Sequence, residues 1–418
     1  MQSSFFPKKR CLFLVEDYPI SPNATGGGSS MVYSHLELLF HAGFDITLIL
    51  LRNPHTPKGF VEYTQNQPVT WNTVKSWCKS YHMIEVKRNT EEKSRMARLY
   101  HLILALLYPI RYKYNTISKE TNEIFKKLLI QIQPDMIWTE HQFPAILAQN
   151  YIQETPIIFS HTDWLWRIKK LRQKDNRFNL RFLLNIYLLK RLEVKLVQKV
   201  SGCVSGSIKE AFEIEMLSRK PVIYLPATYP LINPVLLKET HSSKRIFHLG
   251  GMSTTANRIG LQRFIDVVWP TIREFNPELW VIGSLEGAGD LLLDYLKKEN
   301  IICTGFINDL SSVLRPYDIH IIPWEYNTGT RTRIPLVLSH KQVLLSTRAA
   351  AACLPELING ENCILVDDLT SMGSEITKIF SNQTLRIRLA NSGYETFKKS
   401  FTRESLQQRF NRYIAKVL

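Results

Sequence analysis

Short runs of consecutive apolar residues alternate along the chain with longer segments whose apolar residues recur every three or four positions. The first run, residues 11–15 (CLFLV), precedes a glycine-rich segment, and the apolar spacing of residues 31–41 predicts a helix that ends before Gly43. The apolar run at residues 44–51 predicts a second buried strand. A strand, a helix and a strand in this order predict a parallel sheet with helices on its faces.

The same alternation continues and starts again near residue 244. Further strands are predicted at 135–138, 156–160, 202–205, 246–249, 279–282, 301–306, 318–323, 343–346 and 363–366, and a helix at 311–317. Residues 216–243 contain four prolines, which is typical of a linker. We therefore predict an α/β chain with an N-terminal domain at 1–215, a linker at 216–243, a C-terminal domain at 244–400 and a terminal helix at 401–418.

The net charge changes the range of expected partners. Lysine and arginine total 53 against 37 acidic residues, so the net charge is +16, which favours nucleic acid, acidic lipid or phosphorylated substrates. The basic amphipathic segment 167–199 and the aromatic, apolar segment 99–114 together indicate docking on an anionic membrane surface. The alternative is a buried helix face with a solvated basic side. No recognition-helix motif is present, so nucleic acid is an unlikely partner.

The cysteines and the start of the chain bear on location. The six cysteines contain no CxxC pair, so we expect neither a zinc site nor a disulfide framework, but free thiols in a reducing, cytoplasmic compartment. The polar and basic start leads directly into an apolar run of strand length, so we expect no secretory signal. The apolar stretch at residues 99–110 is about a dozen residues long, whereas a helix that spans a bilayer needs about 20. We therefore do not expect this stretch to cross a membrane.

Two segments carry candidate chemistry. Glycines at residues 26–28 precede a predicted helix, where the backbone and the helix N-terminus can approach an anion; a plain turn is the alternative. Further on, Arg331 and Arg333 follow a predicted strand and a Gly-Thr turn. Their fork-shaped guanidinium groups could clamp a diphosphate, and a solvated pair of surface charges is the alternative.

Several motifs together carry a family resemblance. Residues 329–347 (GTRTRIPLVLSHKQVLLST) resemble the GTRxKxxEAxAxGxPVVST segment of family 4 glycosyltransferases, and residues 250–264 resemble their GSMxxxPNxxAxxxF segment. Residues 26–30 are similar to the family's N-terminal glycine loop, and residues 156–163 (PIIFSHTD) to its PVVxTxHD strand end. The resemblance as a whole extends over about residues 10–415. The chain therefore resembles bacterial group 1 glycosyltransferases of the PNxxA and GTRxKxxEA type.

The resemblance implies the GT-B fold, in which two Rossmann-like parallel-sheet domains face a central cleft and a C-terminal helix crosses back to the first domain. It implies transfer of a sugar from a nucleoside diphosphate sugar to a glycan or lipid-linked acceptor, with retention of configuration, in bacterial surface polysaccharide or related glycan synthesis. The nucleotide sugar is a co-substrate, and neither a cofactor nor a metal is expected.

The resemblance also implies roles for individual residues. The negative charge of the departing diphosphate would be stabilised by Arg331 and Arg333 and by backbone amides. His161 would donate to the sugar or orient the acceptor hydroxyl, unless it is a structural strand-end histidine. The donor-binding residues would be Gly27, Gly28, Gly250, Gly251, Asn257, Arg258, Gly329 and Thr330. Residues on the acceptor side would be Glu140, His141 and Asp163, with a structural role as the alternative for the first two.

The chain departs from the family pattern at several positions. Leu336 stands where the family usually has the glutamate that binds the donor ribose, and Thr328 stands where an acidic or small residue is usual. Gly251 and Ala256 stand where many relatives carry an arginine and a lysine. Arg258 or Glu325 could compensate for these losses. A second hypothesis is therefore a catalytically silent GT-B protein that serves as a binding partner in a glycan assembly complex.

Overall fold

The computed structural model describes residues 8–17, 19–22, 27–52, 68–89, 95–171, 180–232, 244–299 and 301–418. The chain divides into two compact units, each built around its own parallel sheet. The first unit comprises residues 1–21, 32–225 and 407–418, and the second comprises residues 22–31 and 226–406.

The sheet of the first unit has seven strands in the order β3-β2-β1-β4-β5-β6-β7, and every neighbouring pair is parallel. Its strands are β1 Arg10–Glu16, β2 Asp45–Arg52, β3 Cys78–Glu85, β4 Met136–Glu140, β5 Ile157–His161, β6 Gly202–Ser205 and β7 Val222–Tyr224. The central strands β4 and β5 are buried along their whole length, as expected for a sheet covered by helices on both faces.

Ten helices belong wholly or partly to the first unit among the described residues. They are α1 Gly27–His41, α2 Pro68–Trp77, α3 Arg95–Leu107, α4 Pro109–Tyr114, α5 Lys119–Ile132, α6 Gln142–Ala148, α7 Leu165–Leu171, α8 Leu180–Lys199, α9 Ile208–Ser218 and the end of the terminal helix. The largest buried side chains of this unit include Phe13, Phe125, Trp138 and Trp164, which fill the space between helices and sheet.

The sheet of the second unit has six strands in the order β10-β9-β8-β11-β12-β13, again all parallel. Its strands are β8 Arg245–Leu249, β9 Glu278–Ile282, β10 Ile302–Gly305, β11 Ile319–Ile322, β12 Val343–Thr347 and β13 Ile364–Val366. Its helices are α10 Thr255–Val267, α11 Trp269–Ile272, α12 Asp290–Lys298, α13 Arg333–Ser339, α14 Arg348–Ala351, α15 Met372–Ser381, α16 Gln383–Ser400 and the start of α17 Arg403–Val417.

The two-sheet α/β prediction is confirmed, and its details change in four places. Helix α1 begins at Gly27, so the glycines at its start form its first turn instead of a loop. Residues 222–224, predicted within the linker, form the short strand β7 at the edge of the sheet. Pro221 precedes it; proline has no backbone N–H to donate and is tolerated at such an edge. The helix predicted at 311–317 shortens to a 3-10 turn over Leu310–Ser312, and the half-exposed strand β3 was not predicted.

Within the predicted linker, residues 216–225 belong to the first unit and residues 226–232 to the second, and residues 233–243 lie outside the described residues. Helix α17 begins in the second unit, and its residues from Gln407 onward belong to the first. There, the Tyr413 hydroxyl donates to the Cys203 carbonyl at 3.0 Å. No helix in the described part of the chain is long and apolar enough to span a bilayer.

Candidate functional site

The strand order of the second sheet places its first strand, β8, beside β11, so the chain leaves these two neighbours in opposite directions across the sheet. In open α/β sheets, ligands bind beyond the carboxyl ends of the strands at this switch point. Gly250 and Gly251 follow β8, and residues 323–332 follow β11 and lead into α13. The segments with candidate chemistry in the second unit therefore meet at the edge where a ligand is expected.

Arg333 is the first residue of α13, and its guanidinium extends to this switch point. It donates to the backbone carbonyl of Leu249, the last residue of β8, and to the side-chain oxygen of Asn257 on α10. No carboxylate pairs with Arg333 among the residues that the structure describes. Burial, and then the nearby positive charge of Arg331, lower the pKa of Arg333 to about 9. A bound anion would relieve this electrostatic cost.

Arg331 lies two residues earlier and is held by its own loop. It donates to the carbonyl of Thr328 at 2.7 Å, and its guanidinium lies 5.8 Å from the centre of the Trp324 ring. The aromatic face fixes the orientation of the cation while its stem is half-buried. The two guanidinium groups are close enough for each to affect the other, which concentrates positive charge beside the end of β8.

The turn after β8 requires glycine because two backbone segments are in contact there. Gly250 has φ +138° and Gly283 has φ +131°, which side-chain-bearing residues rarely adopt. A Cβ on Gly283 would lie 2.7 Å from the carbonyl carbon of Gly250. A Cβ on Gly250 would collide with Asn257 and lie 3.0 Å from a terminal nitrogen of Arg333. The glycines therefore bring the backbone and Arg333 together.

The amides of this turn are not equally free. The Gly250 amide donates to the carbonyl of Ile282 at 2.8 Å, so it holds the turn and cannot also donate to a ligand. The Gly251 amide has no hydrogen-bond partner among the described residues, which leaves it as the candidate backbone donor.

Two buried histidines beside Arg333 were not predicted from the sequence. His248 on β8 and His320 on β11 are 1% and 0% exposed. Burial, followed by the charge of Arg333, keeps the pKa of His248 well below its usual range and lowers that of His320 to about 3. Both imidazoles are therefore neutral, and they add no charge to the basic pair. In the sequence, each of them appears as a polar residue within the apolar run that predicts its strand.

The other residues predicted to bind the sugar donor have different partners and positions. Arg258 donates to the carbonyl of Gly287 at 3.1 Å, and Glu325 pairs with Arg263 at 3.1 Å. Gly329 is buried with φ +66° in the loop before Arg331, and Thr330 is half-buried there. Leu336 is buried within α13. Gly27 and Gly28 lie in the first turn of α1, next to residues 23–26, which are outside the described residues.

In the first unit, His161 ends β5 inside a buried ionisable cluster. Its Nδ1 lies 3.4 Å from a carboxylate oxygen of Glu210, and its ring lies edge-on to Trp164 with the centres 4.5 Å apart. Burial alone would lower the pKa of His161, but Glu210 and the more distant Glu193 and Asp163 raise it. The side chain is 2% exposed, so the imidazole is buried at the carboxyl end of β5.

Glu193 on α8 completes this cluster from the opposite side. Its carboxylate accepts from the backbone amides of Leu165 at 3.0 Å and Trp166 at 3.2 Å, which ties α8 to the start of α7. Burial, the largest effect, raises the pKa of Glu193 to about 7, while the charge of His161 and the two amides oppose the rise. Glu193 therefore titrates near neutral pH, and the pKa of His161 beside it lies above its usual value.

Of the predicted acceptor-side residues, Glu140 is held in the interior. One oxygen of its carboxylate lies 2.7 Å from Nδ1 of His35 and accepts from the Trp138 indole at 2.7 Å. Burial would raise the pKa of Glu140, but the charge and hydrogen bond of His35 outweigh it, so the pKa is lowered. These contacts favour the structural alternative for this residue.

His141 and Asp163 lie at the carboxyl ends of the same sheet. His141, directly after β4, has φ +67°, a conformation that costs free energy for a residue other than glycine and that is common at functional sites. Asp163 follows β5 and contributes to the field at His161.

The structure thus assembles Arg331, Arg333, Asn257 and Gly251 in the second unit and His161 and Asp163 in the first. No group of three candidate metal ligands occurs in the described ranges.

Comparison with known proteins gives a family match within the second unit. Residues 243–382, about a third of the chain, match the model of the family described as glycosyl transferases group 1. No curated protein sequence matches the chain.

Solved structures of very low sequence identity share the fold over almost the whole length. Sucrose-phosphate synthase from Thermosynechococcus elongatus is 12% identical with a TM-score of 0.67, over 98% of this chain and 99% of that one. Anabaena HepE, solved in complex with UDP-glucose, is 11% identical with a TM-score of 0.62 over 97% and 99%. WaaG, a glycosyltransferase involved in lipopolysaccharide biosynthesis, is 11% identical with a TM-score of 0.60 over 97% and 99%. At these identities, the likeness establishes the two-domain fold.

Proposed function

We propose that this chain, whose second unit carries the group 1 family match, is a glycosyltransferase of the PNxxA and GTRxKxxEA type. It would transfer a sugar from a nucleoside diphosphate sugar to a glycan or lipid-linked acceptor. The observation that supports this most strongly is the half-buried Arg333 guanidinium at the switch point of the second sheet, which has no described carboxylate partner. Burying part of a cation without a counter-charge costs free energy, which a bound anion would offset.

The chemistry of the leaving group accounts for the two arginines. When the glycosidic bond to the diphosphate breaks, negative charge develops on the departing oxygen. Arg333 and Arg331 would stabilise that charge with fixed, preorganised donors, and the Gly251 amide would add a backbone donor. The reaction would need no cofactor and no metal, because the cations supply the electrophilic assistance. We propose retention of configuration on the basis of the family resemblance.

The first unit would supply the acceptor side. His161 and Asp163 lie at the carboxyl end of β5, the edge at which parallel sheets bind ligands. In this role His161 would orient the acceptor hydroxyl or donate to the transferred sugar, with Glu210 holding its orientation. His141, strained at the end of β4, would line the same edge.

The cysteines and one structural neighbour bear on location and pathway. All six cysteines are free thiols, which supports a reducing, cytoplasmic compartment. Burial raises the pKa of Cys78 and Cys363 to about 12, so these thiols are unreactive. Similarity to WaaG, which is involved in lipopolysaccharide biosynthesis, supports a role in bacterial surface polysaccharide or related glycan synthesis.

Binding and turnover of nucleotide sugars test the proposal. A thermal-shift screen with uridine, guanosine and adenosine diphosphates should raise the melting temperature with at least one of them. Hydrolysis of the matching nucleotide sugar should then be measurable. Arg333→Ala and Arg331→Ala should each weaken binding on the order of tenfold to a hundredfold. The matched control is Arg273→Ala. Arg273 forms an ion pair with Glu299 and lies just before β9, at the amino ends of the strands, on the opposite side of the sheet from the proposed site.

One observation supports a second candidate function. Leu336 is buried and apolar at the position where the resemblance implies a ribose-binding carboxylate. A catalytically silent GT-B protein, acting as a binding partner in glycan assembly, would bind a nucleoside diphosphate without hydrolysing any nucleotide sugar. Measurable turnover that Arg331→Ala abolishes would exclude this alternative. Failure of all three diphosphates to bind would refute the glycosyltransferase proposal.

A further inference from the structure

Helix α3 of the first unit exposes a continuous apolar stripe. Met96, Tyr100, Ile103 and Leu107 are between 45% and 82% exposed. They are spaced by four, three and four residues, so they lie on one face of the helix. Scattered exposed apolar residues are ordinary on a protein surface, but a stripe of four along one helix indicates a contact surface.

Helix α8 repeats this feature beside α3. Leu180, Leu183 and Tyr187 are 75%, 44% and 52% exposed and again follow helical spacing. The first buried residue of α8 is Leu192, so the first three turns of this 20-residue helix contribute no side chain to the core. Because helices α3, α4 and α7 each pack against α8, the two stripes belong to one region of the first unit. We call these four helices the basic helical surface.

The charges of the basic helical surface are almost all positive. Within the bounds of its four helices, Glu193 is the only acidic residue, and it is buried. Lys169 and Lys170 on α7 are exposed. Lys113 on α4 has its pKa lowered by burial and then by the charges of Arg88 and Lys169, which shows that cations of different helices lie near each other.

Aromatic side chains lie close to cations and to one another on these helices. The Trp166 ring on α7 has the Arg167 guanidinium 5.1 Å and the Lys190 ammonium 5.0 Å from its centre. On the other side, His101 of α3 and Tyr112 of α4 have ring centres 5.8 Å apart. The surface thus combines aliphatic, aromatic and cationic side chains on helices that lie side by side.

We infer that the basic helical surface docks on an anionic lipid bilayer. Leucine, isoleucine and tyrosine side chains can enter the boundary between headgroups and acyl chains, while lysine and arginine contact acidic headgroups. Nucleic acid would complement the cations but not the aliphatic stripes, which have no role in contacts with phosphates. This inference goes beyond the proposed sugar transfer and does not depend on it. If both hold, the docked enzyme would meet a lipid-linked acceptor at the membrane.

Vesicle co-sedimentation of the full chain, without any nucleotide sugar, tests the inference. The protein should bind phosphatidylcholine vesicles that contain about 30% phosphatidylglycerol at about 0.1 M salt, and should bind pure phosphatidylcholine at least about tenfold more weakly. Lys169→Glu/Lys170→Glu should weaken binding at least about tenfold, because each basic residue near an anionic surface contributes appreciably. Leu183→Ser/Tyr187→Ser should weaken it as well, and should do so even where salt has screened the charges.

Matched variants of exposed residues in the second unit control for charge and hydrophobicity. Leu291→Ser/Tyr295→Ser removes two exposed apolar residues at the same spacing on α12, and Lys297→Glu/Lys399→Glu reverses two exposed lysines. Both controls should bind vesicles like the unaltered chain. The inference is overturned if the unaltered chain does not prefer anionic vesicles, if the controls lose binding equally, or if the Leu183/Tyr187 variant binds undiminished. Diphosphate binding in solution, measured on the same samples, reports separately on the proposed function.

Discussion

Asn257 connects the Arg333 guanidinium to the turn that follows β8. Its side-chain oxygen accepts a hydrogen bond from Arg333, and its side-chain nitrogen donates to the carbonyl of Gly251 at 2.9 Å. An amide is suited to this position because it offers both an acceptor and a donor. A carboxylate here would neutralise the guanidinium and could not donate to Gly251. Asn257 therefore orients the cation and leaves its charge available to an anion.

Replacing Asn257 should weaken the proposed diphosphate site without removing a charge. In Asn257→Ala, Arg333 loses an oriented acceptor, and we expect the affinity for the best-binding nucleoside diphosphate to fall by about tenfold, less than in Arg333→Ala. Isothermal calorimetry would measure the change. Gln262→Ala on the same helix, whose side chain bonds only to Asp266 among the described residues, should leave affinity unchanged. Equal affinities for the Asn257 and Gln262 variants would contradict the positioning role.

The close approach of Gly283 to Gly250 predicts a second outcome. In Gly283→Ala the new methyl group would press against the backbone of Gly250, so the β8 turn must shift. Gly289 provides a matched control, since it also has positive φ, +81°, but nothing lies within 4 Å of its Cβ position. We expect Gly283→Ala to lower the free energy of unfolding by about 2–4 kcal/mol more than Gly289→Ala, and to weaken diphosphate binding. Urea unfolding of both variants would measure this, and equal losses would contradict it.

The sequence predicted those features that depend on local pattern. The buried strands β1, β2 and β12 appear as nearly continuous apolar runs, because a parallel sheet covered on both faces admits few polar side chains. The exposed edge strand β3 was missed because its alternating residues (CKSYHMIE) lie on an incompletely covered edge. Pattern alone could not place its pairing with β2, which depends on contacts distant in sequence.

The site was predictable only in part, for a similar reason. Arg333 stands out because a cation follows a strand and a glycine turn, and that pattern is local. The contact of Arg333 with Leu249 joins positions 84 residues apart, and no spacing rule anticipates it. The neutral His248 could not be predicted either, since its low pKa arises from burial and from a charge that only the fold brings near.

The buried cluster around His161 predicts how stability depends on pH. Since the folded-state pKa of Glu193 is raised from 4.5 to about 7, the folded chain keeps a proton between these pH values that the unfolded chain releases. The free energy of unfolding therefore falls as pH rises through this window. The raised pKa of His161 acts in the same direction above pH 6.5. In Glu193→Gln the first contribution disappears.

Relative to the unaltered chain, Glu193→Gln should gain on the order of 1–3 kcal/mol of stability as pH rises from about 5 to about 8. The measurement is chemical unfolding at several pH values, with the exposed Glu215→Gln on α9 as the control, for which the difference should stay constant. The baseline loss from one unpaired backbone amide, at Leu165 or Trp166, does not depend on pH and cancels from the comparison. A pH-independent difference for Glu193→Gln would show that the carboxylate is ionised throughout.

The end of α17 should stabilise the first unit specifically. Phe410 is fully buried, and its ring centre lies 5.9 Å from that of Trp138 on β4. Phe410→Ala leaves a cavity there, and we expect it to cost about 3–5 kcal/mol. Hydrogen exchange should show faster opening of β1 and β4, with β8 and β11 unchanged, since residues 407–418 belong to the first unit. Phe264→Ala, an equally buried phenylalanine in the core of the second unit, should give the reverse pattern. If both variants loosened both sheets equally, the two units would unfold as one, and the assignment of the terminal helix to the first unit would have no energetic meaning.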